Sequence, residues 1–173
     1  MELIQTGAAP TARETFAAAV TAYGRAMFRA ARACTDSDAD AEDAVGEAVL
    51  LAWQSYPRLR NPAAAKSWLL RICVNCACGQ RRKTGREVAL EGLEERAAPE
   101  RDEERSYLWD AVRALPEDQR LAVLLYYYED MPVAEIARTL GVAQGTVKSR
   151  LSRGRDRLRQ MLREEEQYGN QRT

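Results

Sequence analysis

The chain has no histidine among its 173 residues, which removes the side chain used most often for general acid–base work near neutral pH. It also lacks a glycine-rich phosphate loop and any nucleophile set beside a plausible base, so an enzyme finds no support. No apolar run reaches the roughly 20 residues needed to cross a bilayer. The opening stretch, MELIQTGAAP, has no basic segment followed by the apolar core of a secretion signal. A cytoplasmic protein without direct membrane insertion is expected. Strand-like alternation does not persist and no internal repeat is visible, which leaves an all-α fold.

Net charge is absent too, with 26 basic and 26 acidic residues, but the average hides blocks of opposite sign. Asp36 to Glu47 is acidic, Lys66 to Arg86 carries only positive charges, Glu87 to Glu104 is mainly acidic, and Lys148 to Arg159 is basic. Such local fields decide partners more than the sum does. The acids of DADAED lie in a helical frame and lack the central glycine of a calcium loop. Of the four cysteines, Cys73 and Cys76 share a helical face that Cys34 can approach, and Cys78 follows closely. One helix does not easily aim three thiolates at a single ion, so buried free thiols in a reducing compartment are expected, with no metal and no cofactor.

The most informative stretch is VAEIARTLGVAQGTVKSRLSRGRDRL, from Val133 to Leu158. Val133, Ile136, Ala137 and Leu140 have the spacing of an amphipathic helix, and Gly141 stands where a left-handed residue closes one. A second helix from about Gln144 turns Val147, Leu151, Leu158 and Leu162 inward and leaves basic and hydroxyl groups elsewhere. This is a helix-turn-helix pattern suited to a major groove, with Lys148, Ser149, Ser152 and Arg153 on neighbouring turns near the start of the reading helix. Arg155, Arg157 and Arg159 suit either phosphates or plain solvent.

Three earlier helices form a first domain over 1–84: Thr11 caps a helix to about Ala33, Asp36 to Asp38 cap a second to about Trp53, and a third spans about Ala63 to Arg82. A solvated acidic linker is expected over 85–105, then a second small helical domain over 106–163 and a tail over 164–173.

Both domains resemble one family. DADAEDAVGEAVLLAW is similar to region 2.2, AKSWLLRICVNCACGQRRK to regions 2.3 and 2.4, and ALPEDQRLAVLLYYYEDMPVAEIARTLGVAQGTVKSRLSRGRDRL to region 4 of the sigma-70 family. The chain is identified as a group 4 (extracytoplasmic function, ECF) member of these RNA polymerase sigma factors. The resemblance implies that Asp43 and Glu47 bind the β′ coiled coil of core polymerase, and that the β flap is a further core contact. It implies that Trp68, Arg71, Asn75, Arg81 and Arg82 serve the −10 element, helped by Lys66 and the loop from Leu59 to Ala65. Lys148, Ser149, Ser152 and Arg153 match the −35 contacts.

The implied activity is promoter-specific initiation under an anti-sigma factor. In the unbound protein the acidic linker is expected to fold back on the basic patches, and the two domains need not be in register until polymerase sets their spacing. Departures from the family pattern are Gly46 in place of a polar residue, Leu69 in place of a second wedge tryptophan, Pro132 in place of a Ser or Thr cap, and Ala143-Gln144 in place of Pro-Val. The alternative is a stand-alone helix-turn-helix regulator, which would bind its operator unaided and usually as a symmetric dimer.

Overall fold

The computed structural model describes residues 10–88 and 103–170, which are helical apart from short turns and connections. Helix α1 (Ala12–Cys34) opens on the expected Thr11 cap. The Thr11 hydroxyl accepts from the Glu14 amide at 3.2 Å while the Glu14 carboxylate accepts from the Thr11 amide at 2.7 Å. This reciprocal box satisfies two amides left without carbonyl partners, and such a cap is worth about 1 kcal/mol. Ser37 caps α2 (Asp38–Ser55), its hydroxyl accepting from the Asp40 amide at 3.1 Å.

The buried stripe of α2 is alanine alone: Ala41, Ala44, Ala48 and Ala52. Small side chains let α2 lie close to its neighbours, because interaxial distance follows the side chains at the contact. Val45 and Val49, whose helical spacing would also turn them inward, are only half-buried. Two short 3-10 turns, Tyr56–Arg58 and Pro62–Ala64, then lead into α3 (Ala65–Val88). Leu69, Leu70, Cys73, Val74, Cys76 and Ala77 of α3 are buried against α1 and α2.

The second group begins with α4 (Glu103–Arg113) and α5 (Glu117–Val123), which Pro116 starts and a π-helical turn, Leu124–Tyr128, continues. Helix α6 (Val133–Leu140) starts after Pro132, which makes no side-chain cap. Gly141, at φ 66°, closes α6, and the following Val142 amide donates back to the Ala137 carbonyl at 3.0 Å. Glycine suits this left-handed closure because it has no Cβ to clash with the following carbonyl. Helix α7 (Gln144–Asn170) then runs on well beyond the basic stretch. It crosses α5 so closely that a Cβ on Gly154 would lie 2.8 Å from Val123 Cγ2. The interval 89–102, the middle of the acidic linker expected over 85–105, lies outside the described residues, while the two ends of that linker belong to α3 and α4.

The halves pack on one another: α1 and α3 lie against α5, the π turn and α6, and one continuous buried cluster spans both groups. Its polar centre is Glu129, whose side chain is 3% exposed. Arg29 of α1 donates to Glu129 Oε1 through Nε at 2.8 Å and Nη2 at 2.6 Å. Lys66 of α3 donates to the Glu129 carbonyl at 2.6 Å and lies 3.2 Å from its Oε2. A buried carboxylate is tolerated only when paired and hydrogen-bonded in this way.

Candidate nucleic-acid interface

Burial of Val147 and Leu151 fixes the rotation of α7, and the opposite side carries the expected set. Lys148, Ser152 and Arg153 are exposed and Ser149 is half-buried, on consecutive turns. Arg153 donates to the Ser149 carbonyl at 3.3 Å and to its hydroxyl at 3.2 Å, contacts within its own helix that hold the guanidinium along the face. Arg150 belongs elsewhere, since it pairs with Asp118 of α5 at 3.2 Å and fastens α7 to its own domain. Of the trio left open by the sequence, Arg159 pairs with Asp156 at 2.9 Å, Arg155 lies 3.5 Å from the Tyr127 hydroxyl, and Arg157 is exposed.

On α3, Arg71, Asn75 and Arg82 are exposed at i, i+4 and i+11, which places them along one stripe. The other two cations assigned to this surface face the second half of the molecule. Lys66 is held by Glu129, as above, and Arg81 pairs with Glu117 of α5. Trp68 is half-buried, its ring centroid 6.3 Å from that of Tyr56, in a group that continues to Phe16 and Trp53. Leu69 is fully buried.

Asp43 and Glu47 are exposed on α2, and Glu47 accepts from the Gln80 amide group at 3.0 Å. The surface beside them holds large apolar groups missing from the sequence reading: Leu50 is 66% exposed and Leu51 44%. Leu50 and Leu51 lie three and four residues beyond Glu47, so an exposed apolar pair adjoins the carboxylates. The signal was present in the sequence, because Leu50 and Leu51 fall outside the alanine stripe. The masking carboxylates Glu117 and Glu129 had no such signal, since 36 and 63 residues separate them from Arg81 and Lys66. Gly46 is exposed, with open space where a Cβ would lie.

Cys34 does not meet Cys73 and Cys76 as their spacing had allowed. Cys73 is turned to the Met27 carbonyl at 3.3 Å, where burial pushes its thiol up to about 12, and burial also raises Cys76. Cys34 instead meets Cys78, one turn further along α3, at 3.6 Å.

Two family models match the chain: Sigma-70 region 2 over 19–87 and Sigma-70, region 4 over 105–158. The chain is 37% identical to the ECF RNA polymerase sigma factor SigM of Mycobacterium tuberculosis, over 81% of this chain and 73% of the relative. It is 32% identical to SigL of the same organism, also an ECF RNA polymerase sigma factor, over 91% and 94%. Among solved structures it is similar to the sigma factor RpoE of Bartonella quintana, crystallised with the anti-sigma factor NepR. That match has a TM-score of 0.76 and 28% identity, covering 86% of this chain and 96% of the other.

Proposed function

The chain belongs to the ECF RNA polymerase sigma factors of the sigma-70 family, and we propose that it recruits core polymerase to promoters by reading two separated elements. In this reading residues 1–84 form the region 2 domain, 106–163 the region 4 domain, 85–105 the connection between them and 164–173 the tail. Lys148, Ser149, Ser152 and Arg153 enter the −35 major groove, where hydroxyl and guanidinium groups read base edges and neighbouring cations meet phosphates. Arg71, Asn75 and Arg82 hold the −10 strand, with Trp68 at the fork. Lys66 and Arg81 join them once the carboxylates of the other half are displaced.

Asp43, Glu47, Leu50 and Leu51 form the face for the β′ coiled coil, joining two charges to an apolar patch. The region 4 domain meets the β flap. The protein works in the cytoplasm and is not an enzyme; the polymerase supplies the chemistry. An anti-sigma factor restrains it, as the complex of RpoE with NepR suggests.

The observation that carries this reading is the pairing, in one chain, of a region 2 match with a region 4 match. A stand-alone regulator would account for the second domain and leave the first without a task. Transcription in vitro with core polymerase stripped of specificity subunits, offered a promoter library, is the test. Defined start points are expected, preceded by two shared sequence blocks. Absence of any defined start point would overturn the proposal.

A further inference from the structure

We propose that Cys34 and Cys78 form an oxidisable dithiol that a peroxide closes into a disulfide at the seam between the two halves. The Cys34 sulfur at the end of α1 is 99% buried by residue, lies 3.4 Å from the Ala30 carbonyl and stands 3.6 Å from the Cys78 sulfur. Cys78 is half-buried, so one member of the pair is reachable and the other is enclosed. Glu117 of the second half sits on the pair, its Oε1 3.5 Å from the Cys78 sulfur while its other oxygen pairs with Arg81. The two sulfurs, 3.6 Å apart, have to approach to about 2.05 Å to form the bond.

The surroundings divide the roles. A hydrogen bond with Cys78, together with burial, holds the Cys34 thiol well above its ordinary range. The same hydrogen bond, assisted by Arg82, lowers Cys78 against the opposing effects of burial and the Glu117 carboxylate. Thiolate character and access both favour Cys78 as the attacking group. Its sulfur attacks one oxygen of hydrogen peroxide, the O–O bond breaks, and the departing hydroxide takes up a proton to become water. The Cys34 sulfur then attacks the resulting Cys78 sulfenic acid and the S–O bond breaks. The second hydroxide leaves as water with the proton from Cys34. Two thiols and one peroxide become one disulfide and two waters.

A metal ion is the rival occupant, because Cys34, Cys78 and Glu117 bring three donor atoms within 4.8 Å of one another. Closed zinc sites use four protein donors. Here the third donor is already ion-paired with Arg81, and Arg120, which donates to the Ala33 carbonyl at 3.0 Å, adds a further positive charge nearby. The positive charges of Arg81 and Arg120 work against a dication at this place. Closing the disulfide also removes the only proton Cys78 has to offer Glu117, so the redox state reaches a carboxylate that ties the two halves together.

The dithiol stands apart from the promoter-reading proposal, and its test needs no polymerase. The full chain is treated with hydrogen peroxide, digested without reduction and examined by mass spectrometry. A peptide joining Cys34 to Cys78, two hydrogens lighter than its parts and restored by dithiothreitol, is expected. Cys78→Ser, on a half-exposed position, should slow peroxide consumption by about tenfold, whereas Cys76→Ser should leave the 34–78 linkage intact. Far-UV circular dichroism of both variants checks that they fold. Linkages scattered over all four cysteines, or none, would overturn the proposal. So would stoichiometric binding of zinc, added alone to the reduced protein, that shields both thiols from peroxide.

Discussion

On α7, Lys148 and Arg153 face solvent and, among the described residues, Arg153 bonds only its own helix, whereas on α3 Lys66 and Arg81 are held by carboxylates from the opposite half of the molecule. In the proposed reading, the first surface meets DNA by shedding water and counterions. In the same reading, the second must also exchange Glu129 and Glu117 for phosphate, so the energy of domain separation is subtracted from its affinity. The two surfaces carry similar side chains and differ in what those side chains already hold. The isolated chain should therefore bind −35 DNA more readily than the −10 strand, with polymerase supplying the opening.

The most direct way to break that asymmetry is Glu129→Gln, which removes the charge that Arg29 and Lys66 surround. A loss of about 3 kcal/mol in contact between the halves is expected, at the lower end for a broken buried pair because both cations are partly exposed. Small-angle scattering should register a larger radius of gyration, with tighter binding of a −10 single strand at low salt. An unchanged radius with unchanged binding would remove the masking argument.

Arg153→Ala attacks the open surface instead. It should weaken binding to a −35 duplex by about 1 to 3 kcal/mol and relax choice at one base position. Lys148→Ala, if it meets phosphate, should lower affinity evenly across sequences and reduce the salt slope by about 1. Competition binding over a set of single-base variants separates the two outcomes.

Gly154→Ala tests whether the reading helix depends on its close approach to α5. The added methyl meets Val123 Cγ2 at 2.8 Å, so destabilisation of about 1 to 2 kcal/mol is expected in thermal unfolding, with partial rescue by Val123→Ala. Equal stability would mean that α5 yields freely. The smallest effect is Gly46→Ala. With no neighbour to meet, it should stabilise α2 by about 0.5 to 1 kcal/mol in denaturant melts. Any change in polymerase affinity beyond that gain would locate Gly46 in the docking face.

Much of the architecture was legible because it rests on local chemistry. Thr11 with Glu14, Gly141 as a left-handed stop, and the apolar spacing of Val147 and Leu151 each follow from contacts a few residues apart. The reading of α2 was less complete for a physical reason. Helical spacing ranks apolar positions without knowing how close the neighbouring helix will come, and here close packing selected the alanines and left Leu50 outside. The cysteines show the same limit: spacing favoured Cys73 and Cys76 for an encounter with Cys34, and the crossing of α1 and α3 brought Cys78 to it.

By itself the order of residues determined an all-helical chain, its helix-turn-helix, and which side of the reading helix carries positive charge, since side-chain period and cap chemistry act within a turn or two. Only the tertiary structure decided which cations are held by carboxylates of the other half. A carboxylate 63 residues from Lys66 or 100 from Arg29 leaves no periodic trace in the sequence, and it meets them only after the halves have buried a common core.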